Sequence, residues 1–199
     1  MNLSLKNKKV LVTGSSYGIG LEIAKCLSKE GCVVAINGRN KRKLFKASKL
    51  VSGSFPIQGD VTNYEIAKRV INNTVKNLGG IDILICNVGS GKSKKIGKES
   101  YDEWNKVFRK NFWSVVNIVK ESQKVLIKSK GNIVCISSIC GLEVISDTPA
   151  TYSTAKSALN TYIKCMSHFF GKYQVRINGI APGNIFFKNS IWEKKLKKQ

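Results

Sequence analysis

The stretch KVLVTGSSYGIG, residues 9–20, decides the fold because it joins a short apolar segment to a glycine-rich turn and the start of a helical pattern. Apolar residues then recur at helical spacing as far as Leu27, and a second apolar segment at 32–37 follows Gly31. A short apolar run between turn residues is typical of a buried strand. The sequence therefore predicts a strand, a turn, a helix and a second strand.

Three glycines, at positions 14, 18 and 20, define the turn. Glycine adopts positive φ without strain and lets a pyrophosphate approach the backbone N–H groups at the positive end of the following helix. A glycine turn that holds no ligand is the alternative for an isolated triplet, but the flanking strand and helix favour phosphate binding. The order Gly-x-x-x-Gly-x-Gly differs from the usual dinucleotide fingerprint, G-x-G-x-x-G.

Tyr152 and Lys156 lie four residues apart in another helical pattern, and therefore on one helix face. An ammonium beside a phenol stabilises the phenolate, so the pair is expected to lower the pKa of Tyr152 from about 10 toward working pH. A shift of ~3 units requires roughly 4 kcal/mol. Tyr-x-x-x-Lys also arises by chance, as a half-buried ring beside a solvated amine, so its meaning depends on the rest of the chain.

Further motifs connect these two features in a fixed order. Thr13 to Gly20 match the TGxxxGxG motif of the short-chain dehydrogenase/reductases, and Tyr152 with Lys156 match the YxxxK motif of that family. The family's other marks are Asp60-Val61, Asn87-Val88-Gly89 at the NAG position, Asn111, Ser138 and Pro182-Gly183. Because the ordered matches span nearly the whole chain, the sequence resembles a short-chain dehydrogenase/reductase.

The resemblance implies a Rossmann-type α/β fold, with a doubly wound parallel sheet in three α/β/α layers and a single NAD(P)-binding domain at residues 1–199 that contains the catalytic site. The alternation of apolar and amphipathic segments also favours a parallel sheet covered on both faces. Strands are predicted at 10–13, 32–37, 55–58, 83–87, 132–137 and 174–180, and helices near 18–30, 41–50, 63–78, 100–129 and 151–171.

The resemblance implies four catalytic residues: Asn111, Ser138, Tyr152 and Lys156. Ser138, at the end of a predicted strand, would hold the substrate oxygen while Tyr152 gives it a proton or takes one in the reverse direction. Lys156 would lower the pKa of Tyr152 and bind the nicotinamide ribose. Asn111 would support a water relay to the lysine. Ser137 is a rival for Ser138, and a cap or a buried polar kink is the alternative for Asn111.

The residues that would hold the cofactor, as the resemblance implies, are Thr13, Gly14, Ser16, Tyr17, Gly18, Ile19, Gly20, Arg39, Asp60, Val61, Asn87, Gly89, Tyr152, Lys156, Pro182, Gly183 and Ile185. An NAD enzyme usually places Asp or Glu after the second strand. This chain has Arg39 there, and a charge-assisted bond to a 2′-phosphate corresponds to a roughly 10- to 150-fold preference. NADP(H) is therefore favoured and NAD(H) is possible, although many NADP-dependent relatives carry Arg or Lys where this chain has Tyr17.

The predicted function is an NADP(H)-dependent oxidoreductase that interconverts a carbonyl and a secondary alcohol of a small molecule. A dinucleotide-binding protein with little or no turnover is the first alternative. After Ile185 the family continues through a substrate-binding segment, a helix and a last strand, whereas this sequence ends at Gln199, so 184–199 is expected to be a remnant of that segment. Phe187 stands where many members have a threonine that contacts the nicotinamide. The sheet edge is expected to be exposed.

A net charge of +22 raises the second alternative, a basic protein that binds polyanions or nucleic acid. The lysines lie in clusters on different elements, without aromatic residues between them for base stacking, so no specific nucleic-acid partner is expected. Relatives commonly form dimers or tetramers through two long helices. The segments 100–129 and 151–171 correspond to those helices, and a homo-oligomer is therefore predicted.

The six cysteines contain no CxxC pair and lie mostly in or beside apolar segments, which predicts reduced core residues and no metal site. His168 is the only histidine, so a Ser-His-Asp triad is not expected and His168 is predicted to lie on a helix face. No apolar run reaches the ~18 residues that a membrane span requires. The expected location is the cytoplasm.

Overall fold

The computed structural model describes residues 3–186 and Glu193. Within these residues the strands are β1 Lys9–Val12, β2 Val33–Gly38, β3 Phe55–Gln58, β4 Ile83–Cys86, β5 Asn132–Ile136 and β6 Arg176–Ile180. The helices are α1 Gly18–Lys29, α2 Lys41–Ser48, α3 Tyr64–Leu78, α4 Tyr101–Phe108, α5 Ser114–Ser129 and α6 Ala150–Gly171, with a π-helical segment at Arg109–Trp113 and a 3₁₀ turn at Ile139–Gly141. The predicted order of strands and helices is confirmed.

All strands of the sheet run parallel, in the order β3-β2-β1-β4-β5-β6. Val10, Leu11 and Val12 of the central strand β1 are each 0% exposed, which explains the unbroken apolar run in the sequence. The strand order reverses between β1 and β4, so after these two strands the chain crosses to opposite faces of the sheet. Such a switch point opens a crevice at the carboxyl ends of the strands, where open parallel sheets bind ligands.

Helices cover both faces of this sheet. On one face α1 and α2 pack through Ala24 and Leu44 in one hydrophobic cluster, and on the other face α3, α5 and α6 pack in a second cluster that includes Ile118. Neighbouring residues of β1 belong to different clusters, because Leu11 points to one face and Val10 to the other. The predicted doubly wound, three-layer α/β/α architecture is confirmed.

The predicted long helix at 100–129 is wrong in one respect, because a π-helical segment divides it into α4 and α5. The cause lies in Asn111, which is 0% exposed within that segment. Its side-chain Nδ2 donates to the Val107 carbonyl at 3.0 Å, the acceptor that the backbone N–H would use in an α-helix. A polar side chain inserted into the helical ladder widens the turn. Asn111 is therefore a buried polar residue at a helix distortion.

The other predicted boundaries agree with the structure to within about two residues, a common difference at frayed ends. The exposed sheet edge is also observed. β6 is the outermost strand, four of its five residues are exposed, and Ile180 is 53% exposed. Among the described residues no strand pairs with its outer side.

The cysteine prediction is confirmed in part. All six cysteines are free, and Cys32, Cys86 and Cys135 are buried in the core. Cys26 and Cys165 are exposed, which contradicts the expectation of core residues, since each lies on the outer face of an amphipathic helix. His168 lies exposed on α6, as predicted. None of the helices at residues 3–186 has the length and apolar character to span a membrane.

Leu84 of β4 tests the packing of the central sheet, because its side chain is 0% exposed between α-helices and neighbouring strands. Leu84→Ala is expected to lower the free energy of unfolding by about 2–5 kcal/mol, since it removes buried methyl groups and leaves a cavity. Urea unfolding measures the change. The control is Leu50→Ala, because Leu50 is 59% exposed, and equal losses in the two variants would contradict the assigned core.

Candidate active site

Hydrogen bonds connect the glycine turn after β1 to the end of β4. The Thr13 hydroxyl donates to the Ile85 carbonyl at 3.1 Å and accepts from the Asn87 backbone N–H at 3.0 Å. The Asn87 side-chain amide donates to the carbonyls of Thr13 and Gly14, each at 3.1 Å. These bonds join the turn after β1 to the segment after β4 and thereby hold the conformation of the turn.

Two kinds of constraint require glycine in this turn. Gly14 and Gly18 have φ of 62° and 61°, in the left-handed region that favours glycine. A Cβ on Gly20 would lie 2.3 Å from the Asn87 amide nitrogen and 2.8 Å from the Gly14 carbonyl oxygen. Gly20 therefore allows the first turn of α1 to approach Asn87 directly.

The amino end of α1 differs from those of α2, α3 and α4. Asn40, Asn63 and Ser100 cap those three helices through side-chain hydrogen bonds, whereas Tyr17 at the start of α1 makes no such bond. The first N–H groups of α1 therefore have no side-chain acceptor, in a position where the helix dipole favours an anion. This arrangement fits a cofactor pyrophosphate. Ser16 and Ile19, half-buried, lie in the same turn.

Ser15, which the sequence analysis did not select, also shapes the turn. It is 0% exposed, its hydroxyl donates to the Val12 carbonyl at 2.7 Å, and it accepts from the Asn37 backbone N–H at 2.9 Å. It therefore joins the ends of β1 and β2. Nothing in the spacing distinguishes Ser15 from Ser16, because both are small polar residues inside the glycine motif.

Arg39 directly follows β2, at the end of the crevice predicted to hold the adenosine. Its Nη1 lies 3.7 Å from Asp60 Oδ2, while Asp60 Oδ1 accepts from the Thr62 N–H at 3.1 Å. Arg39 and Asp60 line a cavity of about 410 Å³, together with Arg69 and Asn73 of α3. The sequence analysis missed Arg69, because helical spacing alone does not show that α3 turns this residue toward the end of β3.

The Lys156 ammonium is buried beside the candidate catalytic residue Tyr152. Lys156 is 3% exposed, and its Nζ donates to the Ile136 carbonyl at 2.8 Å and lies 5.9 Å from the centroid of the Tyr152 ring. Burial lowers the pKa of Lys156 to about 8. Lysine and tyrosine share one face of α6, as their spacing predicts.

The pKa of Tyr152 is raised rather than lowered, which contradicts the sequence-based expectation. Burial of the ring raises this pKa, a hydrogen bond with Ser138 opposes the shift, and Cys140 adds to it. The Lys156 ammonium, 5.9 Å from the centroid of the Tyr152 ring, does not reverse the shift. At neutral pH Tyr152 therefore carries its proton.

The two candidate serines at the end of β5 have different partners. The Ser137 hydroxyl donates to Asn160 Oδ1 at 2.6 Å and is directed toward α6. The Ser138 hydroxyl accepts from the Cys140 N–H at 3.2 Å and bonds to Tyr152. Ser138, as predicted, is thus the serine beside the tyrosine.

Asn111 lies against the loop that follows β4. Its Oδ1 accepts from the Ser90 N–H and its Nδ2 donates to the Ser90 carbonyl, both at 3.0 Å. A Cβ on Gly89 would lie 2.9 Å from Asn111 Oδ1 and 3.4 Å from Lys156 Nζ. Glycine at this position therefore lets the loop pass close to both side chains.

The segment after β6 passes beside Ser138. The Ser137 N–H donates to the Ile180 carbonyl at 2.7 Å and the Ile139 N–H donates to the Pro182 carbonyl at 3.2 Å. Gly183 follows directly, and Ile185 is 43% exposed. Phe187 and most of the segment 184–199 lie outside the described residues.

Sequence and structure comparisons agree with this geometry. The family model for short chain dehydrogenases matches residues 8–195. The chain belongs to the short-chain dehydrogenase family. It is similar to the oxidoreductase YvrD of Bacillus subtilis, with 33% identity over 187 residues that cover 92% of this chain and 70% of YvrD.

Solved structures of the family superpose closely on this short-chain dehydrogenase. A family member of unknown function from Caenorhabditis elegans, crystallised with cofactor, has a TM-score of 0.85 and 30% identity, and the match covers 90% of this chain and 70% of that one. NAD⁺-bound xylitol dehydrogenase has a TM-score of 0.90 and 26% identity, with coverage of 96% and 75%. The predicted family and Rossmann-type fold are confirmed, and the chain is an oxidoreductase of this family.

Lys156 gives a pH-dependent test of this buried site. Its pKa is about 8 in the folded chain and 10.5 ordinarily, so the unfolded chain binds more protons between these values and the folded state gains stability as pH rises through them. Lys156→Met is therefore expected to increase the free energy of unfolding at pH 7 by about 1–3 kcal/mol, because it removes a buried charge. This gain should shrink as pH rises from 8 toward 10.5.

Urea unfolding of both proteins at several pH values measures this difference. Lys164→Met, at an exposed position of the same helix, is the matched control and should show no such pH-dependent gain. A gain that stays constant over the pH range would contradict the buried-ammonium assignment.

Proposed function

We propose that this oxidoreductase interconverts a carbonyl and a secondary alcohol of a small molecule, with NADP(H) as cofactor and Tyr152 as the acid and base. The observation that carries the proposal is the pairing of the Tyr152 and Ser138 hydroxyls at the carboxyl end of β5. The buried Lys156 has its Nζ 5.9 Å from the centroid of the Tyr152 ring, and Asn87 joins the glycine turn to the segment after β4.

The residues around the crevice fit a dinucleotide. The glycine turn and the uncapped start of α1 would bind the pyrophosphate through backbone N–H groups. Asp60 and Val61 would contact the adenine, and Asn87 with Gly89 would form the wall beside the adenosine ribose. Pro182, Gly183 and Ile185 would border the nicotinamide. When bound, the nicotinamide supplies or accepts the hydride.

The proton step belongs to the side chains of the chain itself. The Ser138 hydroxyl would hold the substrate oxygen, and Tyr152 would donate its proton to that oxygen during reduction. Its raised pKa supports the acid role, since the phenol is protonated at neutral pH. Lys156 would orient the cofactor ribose, and Asn111, held against Ser90, would keep the loop after β4 in place beside the lysine.

The charges at the adenosine end support NADP(H). Arg39 is accompanied by Arg69 in the same cavity, and Asp60 supplies the only carboxylate among the cavity's described lining residues, so the cavity has a net positive charge. Asn37, near the usual position of the acid in an NAD enzyme, donates to the carbonyls of Ile57 and Gly59 and presents no carboxylate to the ribose. NAD(H) is the alternative cofactor.

The proposal also covers the domain organisation, the location and the oligomeric state of the protein. A single domain with a cytoplasmic location fits a small-molecule oxidoreductase. A homo-oligomer is supported by the exposed aromatic residues of the long helical region, where Tyr101 is 81% and Trp113 is 50% exposed. The first alternative, a dinucleotide-binding protein with little turnover, differs from the main proposal only in the chemical step.

Cofactor titration tests the dinucleotide site and the role of Arg39. We expect NADPH to bind at least about 10-fold more tightly than NADH, because the arginine pairs with the 2′-phosphate. Arg39→Gln should weaken NADPH binding by about 10-fold or more and leave NADH binding nearly unchanged. Nicotinamide fluorescence gives both dissociation constants, with the exposed Lys68→Gln as control. If neither cofactor binds, the oxidoreductase proposal is wrong.

Tyr152→Phe tests the acid. With a carbonyl substrate found by screening, this variant is expected to lose at least about 10²-fold in kcat, because the phenol proton is gone, while the NADPH dissociation constant changes little. Tyr173→Phe, at a 43% exposed ring, is the matched control. Full turnover in Tyr152→Phe would contradict the assignment. Cofactor binding by the native chain without turnover of any carbonyl would favour the alternative protein of little activity.

A further inference from the structure

The loop after β4 is fixed at three places, to the candidate catalytic residues Asn111 and Tyr152 and to Thr151 beside the tyrosine. The Asn111 side chain bonds to both backbone polar groups of Ser90, each at 3.0 Å. Gly91 packs on the Tyr152 ring, since a Cβ there would lie 3.8 Å from two of its atoms. The Thr151 hydroxyl donates to the Ser93 hydroxyl at 2.7 Å. The chain beyond Gly91 is therefore held at the entrance to the site.

This held segment is rich in free positive charge. Residues 92–98, here named the lysine loop, contain Lys92, Lys94, Lys95 and Lys98, all exposed. None of the four ammonium groups makes an ion pair or side-chain hydrogen bond with a described residue. Lys92 and Lys94 are direct neighbours of the two residues that contact Tyr152 and Thr151. These ammonium groups are thus available to a ligand that enters the site.

Carboxylates near the entrance do not neutralise the lysine loop directly. Asp102 and Glu103 lie in the first turn of α4, where negative charge complements the helix dipole, and Glu103 pairs with Lys106 at 3.3 Å. Glu99 turns one oxygen, Oε1, into the protein, where it is buried. On the other side of the site, the segment between Ser138 and Tyr152 carries the exposed Glu143 and Asp147. The four ammonium groups of the loop outnumber the three exposed carboxylates, those of Asp102, Glu143 and Asp147.

We propose that the lysine loop selects anionic carbonyl substrates, in which a carboxylate or phosphate group lies at the entrance while the reacting carbonyl meets Ser138 and Tyr152. The proposal rests on the proposed oxidoreductase function and names the substrate class. A surplus of one sign of charge at the border of a cleft raises the local concentration of ligands of the opposite charge, and salt weakens this effect. A merely solvated surface patch would give no such selection.

A matched set of substrates tests the proposal. The probes are 4-acetylbenzoate, its neutral methyl ester and the cationic (4-acetylphenyl)trimethylammonium, each reduced with NADPH. At low ionic strength we expect kcat/KM for 4-acetylbenzoate to exceed that for the ester by about 10-fold, and to exceed that for the cation by more. At ~0.3 M salt the advantage should fall to about 2-fold, because the Debye length becomes short.

Two quadruple variants separate the loop from the overall charge of the protein. Replacing the four loop lysines by glutamine should bring the anionic and neutral substrates within about 2-fold of each other. The control replaces Lys76, Lys124, Lys128 and Lys172 by glutamine, which removes the same charge from exposed positions near the far ends of α3, α5 and α6. The control should keep the preference, and equal loss in both variants would overturn the proposal.

Binding of the three corresponding 1-arylethanols to the complex with NADPH, measured by calorimetry, examines the same site without turnover, because alcohol and cofactor are then both reduced. Tighter binding of the anionic alcohol, lost only in the loop variant, supports the lysine loop even if no ketone is reduced, and in that case it is the proposed carbonyl reduction that fails. Equal binding of the three alcohols overturns the anion proposal, and turnover of the neutral ketone would then leave the proposed carbonyl reduction intact.

Discussion

The hydrogen bonds of Asn87 to Thr13 and Gly14 join the segments that leave the two strands between which the sheet reverses its order. In a parallel sheet the chain leaves neighbouring strands at the same edge, and at the switch point the two departing segments cross to opposite faces of the sheet. The Asn87 side chain, which bonds two carbonyls across this gap, therefore constrains the shape of the crevice. The glycine turn and the start of α1 follow from it, because Gly20 packs directly on the Asn87 amide.

The second constraint is the buried ammonium of Lys156. Removing a cation from water is unfavourable, and one carbonyl, that of Ile136, is its hydrogen-bond acceptor in the structure. The pKa of this lysine is lowered because burial removes the hydration that stabilises its charged form. Stability alone would favour an apolar side chain here, so the presence of a lysine indicates a site organised for binding or chemistry. The same burial raises the pKa of Tyr152, since both groups lie in one poorly solvated region.

Most of the fold could be predicted from the sequence, because most strands are short apolar runs and the helices have a regular apolar face. The division of α4 from α5 was foreseen only as an alternative for Asn111, since it depends on the bond of this side chain to the Val107 carbonyl, which spacing does not show. The exposure of Cys26 and Cys165 was missed because composition near an apolar segment does not specify which helix face a residue occupies.

In the candidate site, spacing predicted which side chains meet but not their electrostatics. Tyr152 and Lys156 share a helix face as expected, yet the pKa of Tyr152 is raised chiefly by burial of its ring, which residue spacing does not specify. Ser15 and Arg69 were missed for a related reason, since their roles come from strands and helices that are adjacent only in the folded chain.

Packing and chemistry make separable demands on the family motifs. Gly14 requires its positive φ. Gly20 must lack a Cβ so that the backbone can approach Asn87, and Gly89 must lack one so that the backbone can approach Asn111 and Lys156. A protein of this fold without turnover would need the same glycines. The Ser138 and Tyr152 hydroxyls are different, because both lie at the crevice rather than in the sheet ladder, and Ser137 already serves the adjoining structural contact with Asn160. In the proposed function, Tyr152 is the general acid and the Ser138 hydroxyl beside it holds the substrate oxygen. The proposed chemical step therefore depends on this pair more than on the glycine motif by which the family is recognised.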